Sequence, residues 1–346
     1  MQRTELLDIL ERLIVAHSPS GAESEVDRIV EEAFRSRADE VYQDEAGNIV
    51  GVMKGGRRGP GVAVTGHKDE IGMIVKRVEA DGRLRVRNVG GAYPWAIGEG
   101  PVDLLGEQGV VTGILSVGTK HVSAESNAFV VKQDRALTWD LVWVETKLSP
   151  EALAAQGVGI GTKGVVGRHR KRPIVIGDYI CGYALDCKAA VAIMLSAMDQ
   201  LSGTRPARDT TFIASAEEEV GGVGATYRIG ELSVDTAIAL EVGPVAAEYQ
   251  TQNTGDPILL YQDSVGLYSE RVNRRLEALA RGLGFGVQRA CVTSFGSDAS
   301  IAKKAGRVAC SACLCYPAEN THGYEICSIA GIENTARLLV EYLRQG

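Results

Sequence analysis

Hydrophobic positions recur every three or four residues near the N-terminus and give way to short β-rich runs further along the chain. Residues 5–16 and 22–36 have the first spacing, which predicts two amphipathic helices. From residue 173 onward, β-rich runs alternate with helical stretches, which predicts an α/β fold with a mostly parallel mixed sheet between helices. In this part the predicted strands are 174–180, 210–214, 236–240 and 308–314, and the predicted helices are 188–201, 223 onward, 269–283, 297 onward and 332–344.

The middle of the chain has a different pattern of residues. Residues 76–172 are valine-rich and interrupted by turns, with little helical periodicity outside 149–155, which predicts a small β domain. We therefore predict an α/β domain formed by residues 1–75 and 173–346, with the β domain of residues 76–172 inserted into it.

Composition and charge exclude several classes of protein. The 346 residues include 37 Lys+Arg and 44 Asp+Glu, a net charge of −7, which argues against a nucleic-acid-binding protein. The basic run 168–172 is interpreted as a solvated loop. Seven unevenly spaced cysteines imply no disulfide framework, and 310–313 is interpreted as part of a strand rather than half of a zinc ribbon. No stretch is long and apolar enough to cross a bilayer, so we expect a cytoplasmic protein without membrane contact.

Acidic and imidazole side chains follow the β-rich runs, where the predicted strands end. In an open α/β sheet, ligands bind at the carboxyl ends of the strands, so these side chains are expected to meet at one rim. Two histidines with at least three carboxylates suit zinc, cobalt or manganese, and a carboxylate can bridge two metals. This set predicts a two-metal hydrolase. The side chains are His67, Asp69, Asp186, Glu217, Glu218, Glu219, Glu241 and His322.

Each of these residues has a structural explanation when it is considered alone. Asp186 could cap the following helix, the acidic run 217–219 could favour a helix N-terminus, and a single histidine is more often structural. Their joint position at strand ends favours one shared site. In that site the glutamate run could supply both a ligand and a general base, and Asp69 could fix the ring tautomer of His67.

Four motifs of the chain occur in an order that is specific to one family. They resemble those of the M42 family of metallo-aminopeptidases, the tetrahedral and glutamyl aminopeptidase group, and the resemblance covers nearly the whole chain. It implies a zinc-peptidase-like sheet with an inserted small β-barrel or PDZ-like domain. The motifs are Gly66-His67-Lys68-Asp69-Glu70-Ile71-Gly72, Ala184-Leu185-Asp186-Cys187-Lys188-Ala189, Glu218-Glu219-Val220-Gly221 with Gly224-Ala225, and Thr321-His322-Gly323-Tyr324.

The resemblance assigns a role to each residue of the predicted site. Asp186 would bridge two divalent metal ions per subunit, with zinc expected first and cobalt or manganese as alternatives. The resemblance also makes Glu218 the general base, and Asp69 the residue that orients His67, and it leaves Glu217 outside the site. The remaining ligands would be His67 and Glu241 for one metal, and Glu219 and His322 for the other.

Two positions depart from the usual family pattern. Cys187 follows the bridging aspartate where the family often has a second acid, and its softer side chain could change metal preference. Glu241 stands where the family often has aspartate. It is longer by one methylene group but still donates oxygen, so the site is expected to survive.

These observations predict a two-metal-dependent aminopeptidase that removes N-terminal residues from short peptides. By resemblance, we expect a homo-oligomer, from a dimer to a dodecamer, assembled through the inserted β domain. One alternative is a two-metal deacylase or carboxypeptidase on acylated amino acids, which would need an anion-binding arginine near the metals. A less favoured alternative is an inactive metal-binding assembly protein.

Other residues are weaker candidates. The segment 296–300 resembles a family loop near the substrate pocket, although Asp298 could equally be a helix cap. His121 is interpreted as a surface residue, and His17 and His169 as structural or exposed residues.

Overall fold

A large mixed sheet flanked by helices and a closed antiparallel barrel make up the fold. The computed structural model describes residues 1–126, 128 and 136–346. The helices are α1 Arg3–Val15, α2 Ser24–Arg35, α3 Pro94–Ile97, α4 Pro150–Ala155, α5 Arg168–Lys171, α6 Leu185–Ser202, α7 Val223–Gly230, α8 Glu270–Leu283, α9 Asp298–Lys304 and α10 Ile329–Gln345. The strands are β1 Glu40–Gln43, β2 Ile49–Met53, β3 Arg57–His67, β4 Gly72–Val78, β5 Leu84–Val89, β6 Gly100–Gly106, β7 Gly109–Ser116, β8 Trp143–Glu145, β9 Lys163–Val166, β10 Ile174–Ile176, β11 Tyr179–Gly182, β12 Arg208–Ser215, β13 Val234–Pro244, β14 Ile258–Gln262, β15 Gln288–Cys291, β16 Cys310–Glu319 and β17 Glu325–Ser328.

The large sheet is parallel in its middle and antiparallel toward its edges, which confirms the predicted fold class. Its main path runs β1-β2-β12-β3-β13-β16-β17-β11-β10, with β14 and β15 joined to it through β16. The pairs β12–β3, β3–β13 and β13–β16 are parallel, so the carboxyl ends of these four strands lie at one rim. In the register of β3 and β12, His67 lies opposite Ser215. Side chains that follow these strands are therefore brought together.

Helix α6 is the centre of the hydrophobic core on one face of the sheet. Its apolar residues from Leu185 to Leu201 are buried, so no solvent-facing stripe is left on most of its length. Gly66 lets the helix approach β3 closely, because a Cβ at Gly66 would lie only 2.9 Å from the Cβ of Ala190. The tight contact fixes the first turn of α6, including Asp186, relative to His67 at the end of β3.

Two sequence-based expectations near residue 174 are wrong. The predicted strand 174–180 is a hairpin of β10 and β11, because Gly177 adopts a positive φ of 60° and reverses the chain. The basic run 168–172 is not simply a solvated loop. Lys171 is fully buried and its Nζ lies 2.7 Å from Oε1 of Glu70, while Arg168 pairs with Glu25 at 2.8 Å.

The barrel has its own hydrophobic core and its own order of strands, β4-β5-β8-β7-β6-β9. It contacts the rest of the molecule through buried polar groups, among them His17, whose Nε2 lies 3.0 Å from Oδ2 of Asp103 in β6. The three-segment domain division stays a prediction, and its boundary after residue 75 falls inside β4. In the parts of the chain that the structure describes, no helix is long and apolar enough to cross a membrane.

Candidate metal centre

The strand-end side chains predicted from the sequence converge on the rim of the sheet. His67 ends β3, Asp186 lies in the first turn of α6, and Glu241 lies within β13. Glu219 follows β12, and His322 follows β16. Their donor atoms form two groups that share Asp186, and within each group all atoms lie within 4.8 Å of one another.

The first group is built around His67. Its Nε2 lies 3.1 Å from Oδ1 of Asp186 and 3.8 Å from Oε1 of Glu241. Cys187 belongs to the same group, because its Sγ lies 3.2 Å from Oε1 of Glu241. All four side chains are buried. A nitrogen, two carboxylates and a sulfur facing one another form a donor set suited to a borderline-soft divalent metal.

The second group is built around His322. Its Nε2 lies 3.3 Å from Oδ2 of Asp186 and 3.6 Å from Oε2 of Glu219. The two oxygens of Asp186 therefore face different histidines, which is the arrangement of a bridging carboxylate. His322 has a positive φ of 62°, and its Nδ1 lies 3.2 Å from the carbonyl oxygen of Gly91. That contact fixes the ring with Nε2 toward the carboxylates.

Asp69 organises the loop that carries the glutamates. It accepts hydrogen bonds from the backbone N–H groups of Glu218 and Glu219 at 3.1 and 3.2 Å, and from the Ser20 hydroxyl at 2.6 Å. The Nδ1 atom of His67 lies 3.1 Å from the backbone oxygen of Asp69 and 3.4 Å from its Oδ1. Asp69 thus contacts both the histidine, as expected from the sequence, and the glutamate loop.

Burial disfavours the ionised form of the carboxyl groups in this site, and the neighbouring carboxylates add to this effect. Burial, followed by the charge of Asp186, raises the pKa of Glu219 to about 7. Burial raises the pKa of Glu241 to about 8, and it also raises the pKa of Glu218 well above the ordinary value. Burial lowers the pKa of His322, but the hydrogen bond to Asp186 and the charges of Glu219, Asp186 and Glu325 together outweigh it and raise this pKa to about 10. A cluster in which carboxyl groups tend to retain protons is one that cations would stabilise.

Sequence reasoning missed Glu325 as part of the centre. This buried glutamate accepts hydrogen bonds from the backbone N–H of Asp186 at 2.9 Å and from that of His322 at 3.1 Å. It therefore links the two segments that carry the shared aspartate and the second histidine. The signal was an acid three residues after His322, next to the apolar Ile326 and Cys327.

Five residues of the two donor groups line a cavity of about 790 Å³: His67, Asp186, Glu219, Glu241 and His322. One wall comes from the barrel, whose segment 91–96 reaches the cavity and carries Tyr93 and Trp95, stacked with ring centroids 5.5 Å apart. A second part of the lining comes from outside the barrel and includes Val242, Phe295 and Ile301. In the described part of the chain, the ionisable acidic and histidine residues that line the cavity are members of the two donor groups, together with the adjacent Glu218.

The weaker candidates from the sequence lie at or outside the edge of this cavity. Gly296 lines it, whereas Asp298 is the first residue of α9 and accepts a hydrogen bond from the Ser215 hydroxyl at 2.6 Å. Glu217 is partly exposed and belongs to neither donor group. His121 and His169 are exposed, and His17 is buried against the barrel.

Solved structures of other proteins match the fold of nearly the whole chain. An aminopeptidase from the archaeon Desulfurococcus kamchatkensis has a TM-score of 0.90 and 23% identity, covering 100% of this chain and 96% of that chain. The TET1 peptidase of Pyrococcus horikoshii, which can assemble into a tetrahedron or a large octahedral shell, has a TM-score of 0.87 and 20% identity, covering 98% and 99%. These likenesses show the fold.

Sequence comparison agrees with the fold. The lysyl aminopeptidase of Pyrococcus furiosus is 29% identical over 244 residues, which are 68% of this chain and 66% of that protein. The model of the M42 glutamyl aminopeptidase family matches residues 47–338, a range that contains His67, Asp186 and His322. The chain therefore belongs to the M42 glutamyl aminopeptidase family, whose members are metal-dependent peptide hydrolases.

Proposed function

We propose that this protein is a two-metal-dependent aminopeptidase that removes uncharged N-terminal residues from short peptides. The observation that carries the proposal is the pair of donor groups sharing Asp186 beside an open cavity. His67, Asp186 and Glu241 would hold one divalent metal, and Asp186, Glu219 and His322 the other, with zinc expected first and cobalt or manganese as alternatives. When bound, two such ions lower the pKa of a water and polarise the scissile carbonyl.

Glu218 is positioned to act as the general base. Its side chain lines the cavity, and its Oε2 lies 3.9 Å from Nε2 of His67, while it belongs to neither donor group. Its backbone N–H is held by Asp69. A carboxylate that adjoins the ligands and is not itself one of them can accept a proton from the attacking water and return it to the leaving amine.

The cavity also argues against the alternative of a deacylase or carboxypeptidase. Such enzymes recognise a substrate carboxylate, which calls for an arginine or lysine close to the metals. Neither residue type is present among the described residues that line the cavity. Kinetics with free-amine and N-acetylated forms of one peptide would distinguish the two functions, and hydrolysis of the blocked form alone would contradict the aminopeptidase.

The residues that line the cavity also indicate which side chain is preferred at the N-terminus of the substrate peptide. A glutamate-specific pocket needs a basic partner, and a lysine-specific pocket needs an acid that is not engaged by the metals. Beyond the centre, the described lining is formed largely by apolar and aromatic residues such as Tyr93, Val242, Phe295 and Ile301. We therefore expect leucyl, methionyl or phenylalanyl chromogenic substrates to have a higher kcat/KM than glutamyl or lysyl ones, and the reverse ranking would contradict this part of the proposal.

The mechanism is tested by Glu218→Gln, with Glu217→Gln as a matched control on the adjacent residue. Loss of the base should lower kcat by about 10²–10⁴-fold while leaving metal content unchanged. Glu217 lies outside both donor groups, so its variant should keep wild-type kcat. Asp186→Asn should instead release metal, because both groups lose the shared carboxylate. Unchanged turnover in Glu218→Gln would contradict its role as base.

We further propose that the protein is a homo-oligomer, anywhere from a dimer to a dodecamer, in which the barrel contributes to subunit contacts. This proposal is supported by the TET1 peptidase, which has the same fold and can assemble into a tetrahedron or a large octahedral shell. Light scattering coupled to size-exclusion chromatography would give the mass directly. A monomer of 36.8 kDa at micromolar concentration would contradict the proposal.

A further inference from the structure

Cys187 is a buried thiol that faces the first donor group. It lies at the start of α6 directly after the shared Asp186, and its side chain has no exposed surface. Its Sγ is 3.2 Å from Oε1 of Glu241 and lies within 4.8 Å of the donor atoms of His67 and Asp186. The sulfur is therefore one of four potential donor atoms, and the other three are a histidine nitrogen and two carboxylate oxygens.

The spacing of these four atoms fits tetrahedral coordination. Bond lengths of about 2.0–2.3 Å at tetrahedral angles place neighbouring ligand atoms roughly 3.3–3.5 Å apart. The separations from His67 Nε2 to Asp186 Oδ1, from His67 Nε2 to Glu241 Oε1, and from Cys187 Sγ to Glu241 Oε1 are 3.1, 3.8 and 3.2 Å. These three distances lie on both sides of the ideal value and the other separations in the group are at most 4.8 Å, so side-chain shifts would bring all four atoms to one ion.

The other neighbours of this sulfur compete only weakly for it. The backbone oxygen of Leu240 is 3.7 Å away, and the Tyr316 hydroxyl at 3.4 Å already donates to the backbone oxygen of Leu185 at 2.8 Å. Other buried cysteines of the described chain have different surroundings. Cys313 and Cys315, for example, contact each other at 3.5 Å and belong to neither donor group.

We propose that Cys187 is a fourth protein ligand of the metal held by His67, Asp186 and Glu241. The thiol would bind as a thiolate, with its proton released to solvent. This inference rests on the proposed metal centre and adds a soft ligand to it. A thiolate favours zinc or cobalt over manganese or magnesium, so the cysteine would set the metal preference of this half of the centre.

Cobalt spectroscopy tests the proposal independently of activity. The protein is stripped with a chelator, reloaded with up to two equivalents of Co²⁺, and its absorption spectrum recorded with the bound cobalt quantified by elemental analysis. A cobalt–thiolate bond produces an intense charge-transfer band in the near ultraviolet, which oxygen and nitrogen ligands do not produce. We expect this band in the wild-type protein. The exposed Cys291 and the buried Cys181 provide controls, so Cys291→Ser and Cys181→Ser should both keep it.

Two substitutions of Cys187 complete the test. Cys187→Ser should lose the band, and Cys187→Asp, which restores an oxygen ligand, should bind two cobalt ions without it. In Cys187→Asp the Kd for manganese divided by the Kd for zinc should fall by about tenfold or more. Changes of this size follow even from substitution of residues that only hydrogen-bond to metal ligands.

The outcomes separate this proposal from the proposed function. Wild-type protein that binds two cobalt ions and hydrolyses peptides without the band would overturn the role of Cys187 alone. A band that persists in Cys187→Ser would also overturn it. Wild-type protein that binds no cobalt would overturn both proposals.

Discussion

A single methyl group added at Gly91 should disturb the proposed metal centre directly. This residue lies in the barrel segment that forms a wall of the cavity, and its carbonyl oxygen contacts Nδ1 of His322. A Cβ built on Gly91 would lie 2.5 Å from Cε1 and 2.6 Å from Nδ1 of the His322 ring. The backbone of Gly91 does not have a positive φ, so alanine is compatible with its conformation. Gly91→Ala therefore perturbs the ring without straining the chain.

The required displacement can be worked out from these distances. Carbon atoms in contact prefer separations of about 3.5–4.0 Å, so the imidazole must move by about 1 Å or more. In the wild-type structure, Nε2 of His322 lies 3.3 Å from Oδ2 of Asp186 and 3.6 Å from Oε2 of Glu219. A shift of about 1 Å disrupts both contacts. Misplacement by 1 Å can reduce catalysis by about 10²-fold. We expect this loss in kcat/KM, with one metal bound more weakly and the other retained.

The assay combines steady-state kinetics on an aminoacyl chromogenic substrate with metal analysis after dialysis. Gly56→Ala is the control, because a Cβ at Gly56 would meet no atom within 4 Å. Both variants should keep a wild-type melting temperature within a few degrees, since neither change lies in a core. Wild-type kcat/KM and two retained metals in Gly91→Ala would refute the reasoning, because the ring would then tolerate the displacement.

Three further predictions concern the surroundings of the centre. Lys171→Met removes the cation that pairs with the buried Glu70 and should cost about 3–5 kcal/mol of unfolding free energy. Arg172→Met, which breaks the exposed pair with Glu11, should cost under about 1 kcal/mol, and denaturant titration of both variants checks this. Burial lowers the pKa of His17, so the unfolded chain binds a proton that the folded chain does not, and the free energy of unfolding should fall as the pH drops below about 6.5. In His17→Gln, the dependence of the unfolding free energy on pH should lose a slope of up to about 1.4 kcal/mol per pH unit. Identical slopes in the variant and the wild-type protein would contradict this. Trp95, at the cavity wall and 63% exposed, should contribute to substrate binding, so Trp95→Ala should raise KM for apolar peptides about 2–10-fold with little change in kcat.

The sequence predicted the sheet and its carboxyl-end rim because these features depend on local patterns. The apolar runs before His67 and Glu241 predict buried strands, and in the structure His67 ends β3 while Glu241 lies within β13. Parallel pairing of β3, β12 and β13 then brings those side chains together whatever the details of the loops. The extra reversal at Gly177 was missed, because a continuous apolar run conceals a turn when a single glycine makes it.

Contacts between distant segments could not be predicted in the same way. The burial of Lys171 depends on Glu70, a partner 101 residues away, and a basic run alone gives no sign of it. The approach of Gly91 to His322 joins segments 231 residues apart, and neither segment has a periodicity that reports the contact. Glu325 was missed for the same reason, since its two hydrogen-bond donors become neighbours only after the chain has folded.

The two walls of the cavity belong to different parts of the molecule, and this division affects how the enzyme can change. The proposed ligands His67, Asp186 and Glu241 lie on β3, α6 and β13, which pack tightly against one another, so a substitution there disturbs the core. Tyr93 and Trp95 lie on an exposed turn of the barrel, where many side chains can be accommodated. New substrate preferences can therefore arise by mutation of the barrel turn while the hydrolytic chemistry is inherited intact, provided that the residue at position 91 remains a glycine.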